Sequence, residues 1–237
     1  MSYIEGFVAA VPRANKEAYR HHAEQAVPLF KKLGVTRMVE TWGDDVPDGQ
    51  VTDFKRSVKA TPDEDVIFAW VEYPDKATRD RANETMRNDP KMEESMKDMP
   101  FDAKRMIWGG FQPVNDSGAA EPPGYVDGCL IPVPADRKAD YLEMADKHAA
   151  ILKEYGATRV VDAWGDDVPD GQVTDYKGAV QAKDGESVIF SWVEWPSRKA
   201  RDEGWDKVMK DPRIASMKMP FDGQRMIYGG FSPLIDA

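Results

Sequence analysis

The twelve residues from Trp42 to Asp53, WGDDVPDGQVTD, return unchanged from Trp164 to Asp175. Clustered aspartates of this kind could hold a hard cation. A calcium loop needs oxygen ligands at alternating positions, a glycine at the sixth and a bidentate Glu at the twelfth. Counted from Asp44, the third position is Val46 and the twelfth is Lys55, so that template fails and no metal is expected. Val46-Pro47-Asp48-Gly49 suits a type I turn, with Pro presetting the backbone at the second position. Asp44 and Asp45 can order the loop by accepting backbone N–H groups, and Trp42 and Trp164 anchor its base. Two readings stay open: a loop of fixed shape packed across a junction, or one placed at the mouth of a cavity.

Acid–base chemistry falls first to histidine. The three present, His21, His22 and His148, occupy unrelated positions in the two halves and read as surface or helix-edge residues. No Ser–His–Asp set, Gly-rich phosphate loop or paired metal ligands appears, which counts against hydrolases, kinases and zinc enzymes. Cys129 reads as a buried strand residue. Ionisable and aromatic residues inside expected strands remain. Glu40 and Asp162 align and share a strand face with Trp42 and Trp164. Glu72 and Glu194 align and share a face with Trp70 and Trp192. The matching cations are Arg37 with Arg159 and Arg105 with Arg225, and Trp108 and Tyr228 are further aromatic ligand-binding candidates. A charge in a sheet covered on both sides must be paired or stand at a wet edge. One arrangement is therefore Arg–Glu pairs closing a rim. The other sets a carboxylate and an Arg beside Trp70 or Trp192 in an apolar cavity, where burial raises the carboxylate's pKa. Met92, Met96 and Met99, with Ile214, Met217 and Met219, could line an adaptable entrance or fill packing gaps.

The elements that must position these residues come twice. Tyr3–Pro90 aligns with Tyr125–Pro212 and Met99–Pro113 with Met219–Pro233, close to half the positions being identical. Residues 1–114 and 125–237 are thus copies of one unit, and the polar, Gly/Pro-containing stretch 115–124 reads as their linker. Each copy reads as βαββαβ. In the first, strands are expected at Tyr3–Val11, Thr36–Trp42, Phe54–Ala60 (short), Val66–Tyr73 and Arg105–Phe111. A helix with Asn15 as cap ends at Gly34, and another covers Asp75–Asn88; Asp136 caps the counterpart helix of copy two. Pro28 should bend its helix, though Ala150 replaces it in the second copy. Strands apolar on both faces need cover on both sides. Two helices cover one face, and the other copy is the obvious cover for the second. If each sheet hides ~400 Å² of apolar surface against the other, the gross gain is ~20 kcal/mol at ~25 cal/mol/Å².

Composition narrows the partners. A net charge of −10 and a pI near 4.9, without a Lys/Arg block, disfavour nucleic acid and anionic membrane. Mean hydropathy is −0.60, and no stretch nears the ~20 apolar residues of a membrane span. The N-terminus lacks a signal-peptide pattern and a single Cys suits a reducing compartment, so a cytoplasmic location is expected.

The motifs YxxGFVxxVP, TRxVxxWGDDVPDGxVTDF, VxFxWVEWP and MPFDGxRMIYGGF together resemble the YbaA-like family of unknown function (domain of unknown function 1428), once per copy and over nearly the whole chain. Copy two departs from the pattern with Cys129 and Leu130 where copy one has Phe7 and Val8. The resemblance implies α+β architecture: two ferredoxin-like repeats packed sheet to sheet as a dimeric α/β barrel, here a pseudo-dimer within one chain, with further association of chains left open. The wider superfamily includes cofactor-independent monooxygenases, muconolactone-isomerase-like enzymes, haem-binding enzymes and ligand binders, so fold alone does not fix function. The expectation is a small-molecule ligand in or at the mouth of the barrel, with no cofactor. The alternative is a cofactor-independent monooxygenase- or isomerase-like enzyme acting on a small aromatic or polyketide-like substrate.

Overall fold

The computed structural model describes residues 2–89 and 99–237. The first copy runs β1 (Tyr3–Pro12), α1 (Lys16–Lys32), β2 (Arg37–Asp45), α2 (Phe54–Ser57), β3 (Glu64–Tyr73), α3 (Lys76–Asn88) and β4 (Ile107–Gly118). The second repeats it as β5 (Tyr125–Pro134), α4 (Lys138–Glu154), β6 (Arg159–Asp167), α5 (Tyr176–Ala179), β7 (Glu186–Trp195), α6 (Arg198–Val208), α7 (Pro212–Ala215) and β8 (Ile227–Asp236). The strands form one closed barrel in the order β1-β3-β2-β8-β5-β7-β6-β4. Each copy contributes a four-stranded ferredoxin-like sheet, and the sheets also join edge to edge through the β2–β8 and β4–β6 ladders. Closure removes every exposed strand edge.

Side chains alternate between two dry layers. Ile4, Val8 and Ala10 of β1 enter the central core, while Ala9 and Val11 enter the layer beneath the helices, so the strand is buried almost throughout. Aromatic pairs fill the barrel interior. Phe68 and Phe190 stack with centroids 4.4 Å apart, and Trp70 and Trp192 lie at 4.5 Å. Phe54 from α2 makes a T-shaped pair with Phe231, and Tyr176 from α5 makes one with Phe111. An ideal Cβ at Gly6 would lie 2.7 Å from the Phe190 ring, and one at Gly128 2.9 Å from Phe68. Those two strand positions must stay small.

The repeated twelve residues clasp the copies. Tyr125 and Arg198 bind Asp44 (both 2.8 Å) and Arg201 binds Asp45 (2.9 Å). Reciprocally, Tyr3 donates to Asp166 (2.9 Å) and Arg79 pairs with Asp167 (2.7 Å). Thr52 donates to the Ala179 carbonyl, and Thr174 to that of Arg105. Asp53 and Asp175 order their own loops, accepting the backbone N–H of Gly49 and Arg56, and of Gly171 and Gly178, respectively. Nearly every polar position in the loop has a mechanical task across the junction or within its turn.

Several local expectations change. Residues 54–57 form a helical turn, because Asp53 caps it and Phe54 and Val58 sit at helical i, i+4 spacing. Asn15 holds the N-cap position of α1 as expected, but its side chain does not bond the helix; its amide donates to the Pro100 carbonyl. Arg137, not Asp136, holds the N-cap position of α4, and no side chain caps it. β4 continues through Gly118, four residues into the expected linker, because Asn115–Gly118 pairs with β6. Met92 and Met96 lie outside the described residues, and Met219 is exposed. A Gly6→Ala substitution should destabilise the protein by ~1–3 kcal/mol, since Phe190 has no free direction in which to yield; urea unfolding monitored by tryptophan emission measures it.

Candidate functional site

At one end of the barrel interior, charge meets the aromatic stack. Arg37 binds Glu194 through both terminal nitrogens (2.8 and 3.2 Å), and Arg159 binds Glu72 in the same way (2.7 and 3.1 Å). Each Arg belongs to one copy and its carboxylate to the other. Trp70 and Trp192 donate their indole N–H to Glu72 (3.2 Å) and Glu194 (2.9 Å). Arg37 also binds Asp236 and the Glu121 carbonyl, and Arg159 also binds Asp116. Glu194 is completely buried. These carboxylates already accept several fixed donors, so the arrangement is a reciprocal structural lock.

The other cations are similarly occupied. Arg105 pairs with Glu64 and Arg225 with Glu186, both at 2.6 Å. The Arg105 hydrogen bonds pull Glu64 down to about 2. Neither Arg is brought to Glu40 or Glu72. Trp108 and Tyr228 stand on the outer face, 42% and 54% exposed, opposite Phe7 and Cys129 in the ladders. Burial, with Asp162 and Asp127 nearby, pushes the Cys129 thiol up, away from reactive thiolate. Burial lowers His22 and His148, and His148 is half-buried beside Trp205 instead of at the surface. Among the described residues no group of three or more His, Cys, Asp or Glu is placed to hold a metal ion.

Glu40 and Asp162 are different in kind. They point away from the barrel axis into the layers beneath α1 and α4. The Tyr19 hydroxyl of α1 donates to Glu40 at 2.5 Å, and the Tyr141 hydroxyl of α4 donates to Asp162 at 2.8 Å. Asp162 also receives the Asn115 amide at 3.2 Å. Among the described residues Glu40 has no cationic partner. Its layer is apolar: Tyr19, Trp42, Ala69, Phe101, Met106 and Leu234 pack together there. Burial raises Glu40 to about 7, and the Tyr19 hydrogen bond opposes this only in part. Glu40 nevertheless keeps 9% of its surface accessible, more than Tyr19 or Trp42 beside it. Trp42 is fixed by donating its indole N–H to Asp65. A carboxylate poised between its charged and neutral forms, held by a phenol against an indole, can accept a proton near neutral pH.

Sequence reasoning named Glu40 and Asp162 but placed the chemistry beside Trp70 and Trp192. It missed Tyr19 and Tyr141 as partners, although they align between the copies on the inward face of their helices. It also missed Asn115, whose role depends on β4 crossing to β6.

Two four-stranded ferredoxin-like sheets closed into one barrel, with paired Tyr–carboxylate constellations under their first helices, define a single-chain form of the dimeric α/β barrel. The fold likeness extends to a monooxygenase-like crystal structure from Lactobacillus acidophilus (TM-score 0.58, 12% identity, covering 100% of this chain and 96% of that one). It extends equally to an anthrone oxidase-like protein (TM-score 0.57, 9% identity, covering 100% and 92%). The family described as "Protein of unknown function (DUF1428)" matches residues 2–103 and 124–223, and the chain belongs to it. The uncharacterized protein YbaA of Escherichia coli strain K12 is 55% identical over 116 residues, which are 49% of this chain and 99% of that protein. That relative spans one copy's worth of sequence. Among the described residues no helix is long and apolar enough to cross a membrane.

Two outcomes follow from this geometry. Arg37→Ala strands Glu194 and Asp236 and should cost ~3–5 kcal/mol in chemical denaturation, whereas replacing Arg37 and Glu194 together by apolar residues should cost less. Glu40 binds its proton more tightly folded than unfolded, so its contribution to stability falls as pH rises from the ordinary value of 4.5 to about 7. Glu40→Gln should remove this loss, at most ~3 kcal/mol, so its melting temperature should exceed that of the parent at pH 8 by more than at pH 5.

Proposed function

We propose that the layer beneath α1 binds a small, largely apolar aromatic molecule bearing a weakly acidic C–H, and that Glu40 takes its proton. The observation that carries this reading is the buried Glu40 carboxylate, held by Tyr19 with no cation beside it among the described residues. The strand glutamates Glu72, Glu194, Glu64 and Glu186 are each tied to an Arg, and Glu40 is not. Leaving Glu40 without one costs stability, and such a cost is usual where a group must exchange protons. The Trp42 indole and the surrounding apolar side chains suit a planar hydrocarbon surface.

Proton abstraction leaves the ligand as a delocalised carbanion. Return of the proton at another carbon is an isomerisation. Reaction with dioxygen is the alternative: a methylene and O2 give a carbonyl and water, with carbon oxidised by four electrons and O2 reduced by four. Neither needs a metal or an organic cofactor for the proton transfer itself. The monooxygenase-like and anthrone oxidase-like structures share the fold with this chain; the reaction is proposed from Glu40.

Anthrone, a tricyclic with an acidic methylene, is a direct probe. Oxygen uptake with anthrone should exceed the protein-free rate and fall ~10²-fold or more in Glu40→Gln, while Glu72→Gln affects folding stability first. Absence of both uptake and anthrone binding, followed by quenching of tryptophan emission, would defeat the reading.

A further inference from the structure

The two copies treat their helix-face carboxylates differently, and one position accounts for it. Glu40 stands opposite Ile235 in the β2–β8 seam, and Asp162 stands opposite Asn115 in the β4–β6 seam. Both seams carry a register shift beside that pair, so the positions are equivalent. Asn115 gives Asp162 a second donor; Ile235 has none to give. We propose that Ile235 is a positioning residue that keeps Glu40 a working base by withholding the amide Asn115 supplies to Asp162. The first copy then acts on the ligand and the second serves as its scaffold. This rests on the role proposed above for Glu40.

The surroundings agree. From α1 the titratable group facing Glu40 is Tyr19, and Lys16 lies over the Trp42 ring. Asp65 is engaged with the Trp42 indole. Strands β3 and β8 present Ala69 and Ile235 as its ladder neighbours, and Phe101 and Met106 close the layer. Beside Asp162 the β7 neighbour is Ser191, and Cys129 and His148 also feel its charge.

A second carboxylate pair follows the same rule independently. Asp127 accepts the Trp195 indole (2.8 Å), the Trp205 indole (2.7 Å) and the Arg201 Nε–H (2.8 Å). Its counterpart Glu5 accepts the Asn83 amide at 2.8 Å, while the nearby Tyr73 hydroxyl and Arg79 Nε are buried without a hydrogen-bond partner among the described residues. In both places the second copy supplies more donors to its carboxylate than the first.

The test is a titration of side-chain carboxyls by 13C NMR, which needs no ligand. In the parent, Glu40 should titrate near neutrality, and Ile235→Asn should lower its midpoint by about one pH unit or more, because a hydrogen bond to the charged form favours it. Ile235→Leu should leave the midpoint within a few tenths. Should the Asn variant fail to fold, Ile235→Thr offers a hydroxyl donor on a side chain that keeps the β-branch and should move the midpoint the same way. A folded Asn or Thr variant with an unmoved midpoint overturns the proposal. A midpoint that moves as stated, in a protein inert to anthrone, upholds the control exerted by Ile235 and sinks the ligand role of Glu40.

Discussion

Arg37 reaches across the barrel to Glu194 while Arg159 reaches back to Glu72, each pair topped by a tryptophan N–H from the carboxylate's own copy. This reciprocal exchange governs how the halves meet. The stacked Phe68–Phe190 and Trp70–Trp192 pairs supply apolar burial, but burial alone tolerates sliding. A displaced register would bury Arg and Glu without partners, at several kcal/mol per stranded charge. The aromatic stack therefore provides strength and the ion pairs provide registry. The aspartate loops repeat the same division at the barrel's outside, where Asp44, Asp45, Asp166 and Asp167 all bind groups of the opposite copy.

Tandem fusion changes what selection must preserve. In a symmetric dimer a substitution appears on both sides of the axis; in one chain each copy can drift while its own packing is repaired. Phe7 and Asn83 of copy one are replaced by Cys129 and Trp205, so an aromatic ring is lost from the first strand and one is gained on the second long helix. Tyr73 and Ala82 are replaced by Trp195 and Gly204, and a Cβ at Gly204 would lie 2.5 Å from the larger ring. Trp195 and Trp205 then both donate to Asp127. Such exchanges leave the shared interior alone and alter the private layer under each copy's helices.

That distinction explains what the sequence could disclose. The duplication, the βαββαβ order and the pairing of halves were legible because they rest on periodicity and on strands too apolar to stand wet. The turn at Phe54 was misread because four residues carry too little periodic signal, and the informative feature was its Asp53 cap. The pairing of Arg with Glu was anticipated, but not that it joins opposite copies. Strand alternation places Glu40 and Glu72 on opposite faces; deciding which face lines the barrel needs the closed topology. Asn115 was invisible as a partner for Asp162, since it sits in a polar stretch that looks like linker and becomes strand only by pairing with β6.

The filled interior also confines where chemistry can take place. A barrel whose axis is occupied by stacked rings and whose polar end is saturated by bidentate ion pairs offers a ligand nothing to displace cheaply. The helix–sheet layers are bounded on one side by helices, whose hold on the sheet is side-chain packing without a hydrogen-bonded ladder. They can yield locally while the barrel stays shut. An under-satisfied carboxylate in such a layer can change protonation without disturbing the seams. In the locked interior, neutralising Glu72 or Glu194 would break a bidentate ion pair between the copies. Function that requires proton exchange is thus compatible with Glu40's side of the sheet and opposed by the geometry on the other.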